Sequence, residues 1–96
     1  MKYIIAYDLG TGGIKTSLFD ESGASVASRF MQCETYYPAP DFREQRPGEW
    51  WDILVATIKD LLQAVSIDRR DIIAAACSGH SLGVVPIDKS GRLMLD

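Results

Sequence analysis

The segment Asp8-Leu9-Gly10-Thr11-Gly12-Gly13 constrains this chain more than any other. It follows Tyr3-Ile4-Ile5-Ala6-Tyr7, a nearly continuous apolar and aromatic run with two adjacent isoleucines, which reads as a strand buried on both faces. Three glycines in four positions stop such a strand and permit positive φ, so a sharp backbone turn is expected there. Beyond the turn, Ile14, Thr16 and Leu18 alternate with Lys15, Ser17 and Phe19, a period-2 pattern that predicts a second strand ending near Asp20. Glu21-Ser22-Gly23 predicts another turn, and Val26, Ser28 and Phe30 alternate with Ala27, Arg29 and Met31 behind it. The opening third of the chain is therefore expected to be a three-stranded antiparallel meander.

From Glu34 to Arg46 the pattern gives way to an aromatic connection containing Pro38 and Pro40. Pro47 then sets up a helix over about 48–66, in which Trp51, Leu54, Ile58, Leu61, Leu62 and Val65 recur at spacings of three and four. Ile67 to Asp71 returns the chain to the sheet. Ile72 to Cys77 reads as a buried strand parallel to the first, because a helical crossover precedes it. Within that run, Cys77 is expected to be a small buried hydrophobe. Val84 to Asp88 predicts a further short strand with Pro86 at an edge, Lys89 to Arg92 a turn, and Leu93 to Asp96 the start of another strand.

The charge balance of 10 basic and 13 acidic residues, net −3, and the absence of a basic run argue against nucleic acid as a partner. The longest apolar run, Ile72 to Cys77, falls far short of the ~20 residues that span a bilayer. The apolar stretch after Lys2 is cut by Asp8 before it reaches the ~7 residues of a signal-peptide core. A cytoplasmic protein with reduced Cys33 and Cys77 is expected.

A carboxylate at the end of a buried strand, then a glycine-rich turn with a hydroxyl and a lysine, supplies the parts of a metal and phosphate site. Backbone amides at Gly10, Gly12 and Gly13 can face phosphate oxygens, Thr11 can donate a hydrogen bond, Lys15 adds charge, and Asp8 can hold Mg²⁺ directly or through water. The plainer alternative is a hairpin whose Asp8 bonds nearby amides. Two familiar motifs do not fit: Ile14 stands where a Walker A loop needs glycine, and Lys15 where a dinucleotide fingerprint needs its third glycine, with a strand rather than a helix following both.

Asp8 to Asp20 resembles the first phosphate motif of the FGGY carbohydrate kinases, the family of xylulokinase, gluconokinase and glycerol kinase. Glu44-Gln45-Arg46-Pro47-Gly48-Glu49-Trp50-Trp51 is similar to the family's E-Q-x-P-x-x-W-W helix start, and Ile72 to Gly83 to its strand and substrate loop. The resemblance runs along essentially the whole chain. It implies an α/β, actin-like (ribonuclease-H-like) ATPase fold, of which residues 1–96 would be a partial N-terminal domain, with ATP and sugar bound between two domains. It places Asp8 near the magnesium and the transferring phosphoryl group, Gly10, Thr11, Gly12 and Gly13 near the ATP phosphates, and Lys15 at the basic position of the phosphate-1 loop, residues 8–15. The general-base Asp, the second phosphate motif and the adenosine pocket would lie outside these residues, so this stretch alone is expected to be inactive.

By the same resemblance the substrate loop is 78–83, with His80 at the position of a glutamine and Ser81 and Leu82 at the two substrate contacts. Leu82 has no side-chain hydrogen bond to offer, so the reading of sugar hydroxyls is altered there. His80 can equally serve as a partner for loop carbonyls. Trp50 and Trp51 read as core anchors ahead of a stacking platform for a sugar. Glu44 and Glu49 have no evident acid/base partner, and Tyr36-Tyr37 read as a cover for the sheet. The expected activity is ATP- and Mg²⁺-dependent phosphorylation of a ketose, polyol or sugar acid, xylulokinase-like first. Its partners are the sugar and ATP, with neither nucleic acid nor membrane, and a homo-oligomer is compatible with the sequence. Two other readings are a stand-alone actin-like half domain acting as a binding or assembly module, and a non-kinase actin-like ATPase. An incomplete sheet ending at Leu93 to Leu95 is expected to expose an apolar edge that self-associates.

Overall fold

A computed structural model describes residues 1–79 and 83–94. Three antiparallel strands come first: β1 (Tyr3–Leu9), β2 (Gly13–Asp20) and β3 (Ser25–Gln32). Helix α1 (Pro47–Ala64) follows, then a single 3-10 turn (Arg69–Asp71) and strand β4 (Ile72–Ser78). The sheet order is β3-β2-β1-β4, with β4 parallel to β1. The meander, the crossover helix and the parallel fourth strand all stand where the sequence pattern put them.

The alternation of β2 explains how the helix is held. Ile14, Thr16 and Leu18 are all but inaccessible, whereas Lys15 between them is exposed. That face meets α1, giving one cluster around Ile5, Leu18 and Leu61 and a second around Ile14, Cys33 and Leu54, with Tyr7 and Ile58 packed against both. The helix begins at Pro47, whose missing N–H suits the first helical position, after Arg46 in extended conformation.

Two threonines meet in the middle of this apolar layer. Thr16 on β2 and Thr57 on α1 are both fully buried, with their hydroxyls 2.8 Å apart. The Thr57 hydroxyl donates its one hydrogen to the Leu54 carbonyl at 2.7 Å, so Thr16 must donate to Thr57. A chain of two hydrogen bonds thus runs from the central sheet to the helix backbone, and both hydroxyl donors are satisfied.

The structure corrects two expectations of burial and one of strand formation. Trp51 is 67% exposed, and the inward stripe instead starts at Trp50 and runs through Leu54, Thr57 and Leu61. Trp50 and Trp51 both fit a spacing of three or four to the next core residue, and they differ by ~100° around the helix. Strand β4 is not buried: Ile73 is 62% exposed and Cys77 is exposed. Among the described residues α1 packs on β2 and β3, which leaves β4 on the far side of β1 without a covering layer. Finally, Val84 to Asp88 forms no strand of its own. It contributes an isolated bridge between Ile87 and Leu93, while the expected continuation at Leu95 and Asp96 lies outside the described residues. None of the described helices is long and apolar enough to cross a membrane.

The hydroxyl chain is directional, and so are its substitutions. Thr57→Val strands a buried donor on Thr16 and is expected to lower stability by about 1–3 kcal/mol, whereas Thr16→Val leaves the Thr57 donor bonded and costs less. The double variant is expected to lose less than the sum, as read from urea midpoints at constant m-value. The two thiols should also differ. Burial, with the Glu49 charge adding to it, pushes the Cys33 thiol above its ordinary range. Mass spectrometry after brief iodoacetamide treatment is therefore expected to find Cys77 alkylated and Cys33 protected until denaturant is added.

Candidate functional site

The glycine-rich turn is tighter than the sequence suggests. β1 continues through Leu9 and β2 starts at Gly13, so Asp8 and Lys15 are strand residues rather than loop residues. The turn closes on Thr11 and Gly12, with the Gly10 amide donating to the Gly13 carbonyl at 2.9 Å. None of the three glycines takes positive φ; the described glycines that do are Gly23 and Gly91. At Gly13 the requirement is space, because a Cβ there would collide with the Met31 carbonyl oxygen and the Phe30 ring of β3. Gly12, by contrast, faces open space.

Register does the rest. Asp8 stands directly across from Lys15 on β2 and from Ser78 on β4. Tyr7 and Leu9 pack toward α1, so alternation sends Asp8 to the opposite face, where Asp8, Lys15, Ser17 and Ser78 line a cleft of about 350 Å³. Among the described residues the ion pairs are Lys2–Asp71, Arg29–Asp60 and Arg70–Asp68, which leaves Asp8 and Lys15 without a charged partner. The alternative of an Asp8 spent on nearby amides is thus not what the structure shows. The N–H groups of Thr11 and Gly12, both exposed residues, likewise have no partner among the described residues. No group of three metal-ligating side chains forms among the described residues. A lone carboxylate beside a basic side chain and free amides suits Mg²⁺ that keeps waters and shares phosphate oxygens, rather than a closed protein cage.

A second cleft, about 670 Å³, opens beside the turn. Leu9 and Thr11, the connection at Thr35 and Arg43 to Gln45, the start of α1 at Pro47 and Trp50, and Gly83 to Pro86 line it. His80, Ser81 and Leu82 lie outside the described residues. Gly83, the next residue along, lines this cleft.

The sequence reading left two features of the cleft wall unassigned. Gln45 donates through Nε2 to the Thr11 carbonyl at 2.8 Å and to Thr35 Oγ1 at 3.0 Å, while its Oε1 accepts from the Trp50 indole at 2.9 Å. The Gln and Trp of the motif quoted above are thus hydrogen-bonded to each other. Tyr36 and Glu44 exchange backbone hydrogen bonds of 2.6 and 2.8 Å that fold the connection back on itself. The Tyr36 hydroxyl donates to Glu49 at 2.5 Å, and the Arg46 guanidinium sits 4.1 Å from the Tyr36 ring centre. Glu49, for which the sequence offered no acid/base partner, holds the connection onto the helix, and Tyr36 does more than cover the sheet.

The hydrogen bond to Glu49, followed by burial, raises the Tyr36 pKa above its ordinary value near 10. A raised folded-state value means that this contribution to stability is complete below the pKa of a free phenol and is lost as pH climbs through the folded value. The stability gap between the parent chain and Tyr36→Phe is therefore expected to stay constant from pH 7 to about 9 and to narrow above about 10, in urea titrations.

The chain matches the model of the FGGY family of carbohydrate kinases, N-terminal domain, over residues 3–96. A glycerol kinase from Trichodesmium erythraeum is 38% identical over 73 residues, 76% of this chain and 14% of its own. A xylulose kinase from Bacillus subtilis is 27% identical over 94 residues, covering 98% of this chain and 19% of its own. The crystal structure of a ligand-bound xylulose kinase from Lactobacillus acidophilus superimposes with a TM-score of 0.87 at 26% identity, covering 99% of this chain and 19% of that one. This chain therefore spans less than a fifth of the length of these proteins.

Proposed function

The chain belongs to the FGGY family of carbohydrate kinases and has their actin-like ATPase fold. On that premise we propose that the protein carrying it transfers the γ-phosphoryl group of Mg-ATP to a hydroxyl of a ketose, polyol or sugar acid, with xylulose-like ketopentoses as the first candidates. The observation that carries this reading is the Asp8–Lys15 cross-strand pair, on the strands that the exposed Thr11–Gly12 turn joins, which faces one cleft with no other charged partner among the described residues. The names of the similar proteins support a sugar or polyol acceptor.

Mg-ATP supplies the transferable phosphoryl group and a charge-neutralising cation. Each residue then has a role that suits its place. The Asp8 carboxylate holds the cation directly or through water. Lys15 offsets charge on the phosphate oxygens, and the Thr11 and Gly12 amides, with the Thr11 hydroxyl, orient them. Gly10 closes the turn, and Gly13 serves the same site by letting β2 approach β3. His80, Ser81 and Leu82 are the proposed sugar contacts. The general base that takes the proton of the attacking hydroxyl belongs, in this reading, to a second domain across an interdomain cleft. A cytoplasmic location belongs to the same proposal.

The Asp8 side chain is exposed and has no hydrogen bond or ion pair among the described residues, so its substitution is expected to cost turnover and not folding. In the kinase, Asp8→Asn should lower kcat by about 10²-fold or more with an unchanged melting temperature, and Lys15→Ala should raise KM for ATP. Coupled ADP-release assays with pentuloses, polyols and aldonates check this. Sugar-dependent turnover by Asp8→Asn within twofold of the parent would sink the assignment.

A further inference from the structure

The exposed tip at Thr11 and Gly12 is held by its carbonyl oxygens. The Gly12 carbonyl accepts from the Cys33 amide at 3.1 Å, and the Thr11 carbonyl accepts from Gln45 Nε2 at 2.8 Å. In a trans peptide the C=O and the following N–H point in opposite directions. Pinning the Thr11 carbonyl therefore fixes the direction of the Gly12 N–H, which points away from Gln45. This is one of the two tip amides with no partner among the described residues.

Gln45 itself is held in one orientation. The Trp50 indole is a donor only, so it must meet Oε1, which turns the amide nitrogen and its two hydrogens toward Thr11 and Thr35. Trp50 in turn packs against the cluster of Ile14, Cys33 and Leu54. A continuous set of contacts thus leads from the core, through the indole and the Gln45 amide, to the Thr11 carbonyl 34 residues away in sequence, and so to the aim of the Gly12 N–H.

We propose that Gln45 is a positioning residue for phosphoryl transfer: by fixing the Thr11 carbonyl it aims the Gly12 amide at the nucleotide phosphates. The proposal rests on the kinase reading above, and it assigns a role to a residue that need not touch either substrate. Aim matters because displacement of a phosphate donor by about 1 Å can cost on the order of 10²-fold in rate.

Gln45→Glu separates this role from plain packing. It keeps the size of the side chain and an acceptor for Trp50, but it replaces the donor to Thr11 with an oxygen that repels the carbonyl. In the kinase, kcat/KM for ATP is expected to fall about 10- to 100-fold while KM for the sugar changes little. Hydrogen exchange, followed by mass spectrometry on a peptide spanning residues 8–14 without ligands, is expected to quicken severalfold in Gln45→Glu. It should stay unchanged in Thr35→Val, which removes only the other acceptor. Unaltered exchange of that peptide in Gln45→Glu, or a loss confined to KM for the sugar, would overturn the proposal. If Gln45→Glu has no cooperative melt, Gln45→Met, uncharged and of similar size, is read by the same criteria. A parent protein that turns over ATP with no sugar would defeat the kinase reading itself, and tip exchange in the unliganded protein would still decide whether Gln45 holds the tip.

Discussion

A two-residue turn at Thr11 and Gly12 sets the register of β1 against β2, and the rest of the structure depends on that register. Strand side chains alternate, so a slip of one residue would send Ile14, Thr16 and Leu18 to the exposed face and turn Asp8 or Lys15 toward the helix. In the observed register Asp8 meets Lys15 on one face while Leu9 and Ile14, the next pair, sit beneath Trp50 and Leu54 on the other. The apolar demand of the core and the polar demand of the site are met by the same alternation. Neither can be changed without disturbing the other.

The helix is tied to that hairpin at two levels. Near its middle, Thr57 accepts from Thr16 inside an otherwise apolar layer, a contact whose donors and acceptors match and which therefore favours one seating of α1 over its neighbours along the sheet. At its start, Trp50 fills the space beside Ile14 and passes its indole N–H to Gln45. The surface pair Arg29–Asp60, at 3.0 Å, adds a third tie from helix to sheet. Both of its partners are exposed, so water screens it and it contributes little to the seating.

Much of this was legible in the sequence because period and punctuation were strong. Ile14 to Phe19 could only alternate, Pro47 could only begin a helix, and a crossover helix made the fourth strand parallel to the first. Burial was harder to read. Ile72 to Cys77 is apolar enough for a central strand, yet among the described residues it is an edge, because local composition does not report which layer lies above a strand. Trp51 was mistaken for Trp50 since two adjacent tryptophans fit the same spacing, and what separates them is packing against Ile14 and Cys33 from other elements, together with the indole bond that Trp50 donates to Gln45. The site was legible in its residue types and not in its geometry. Asp8 and Lys15 were read as loop residues because the strand pattern gave no sign that a turn with so many glycines would need only two residues at its tip.

The three glycines of that turn show why composition alone misassigns function. Glycine is usually explained by positive φ, and here that explanation belongs to Gly23 and Gly91, each with φ near 87°. Both lie in turns of the form Asp-x-Ser-Gly, where Asp20 and Asp88 accept from the Ser22 and Ser90 side chains and backbones. In the Gly10–Gly13 turn the backbone stays at negative or extended φ, so the absence of a side chain must serve space. At Gly13 the space is inside the sheet, taken by the backbone of β3. At Gly12 a Cβ would point outside, where no described atom lies within 4 Å. Steric need within the fold accounts for the first glycine and leaves the second unaccounted for. The proposed phosphate site gives that second glycine a reason, since it uses the Gly12 amide together with the Asp8 carboxylate and Lys15 on the strands that the turn joins.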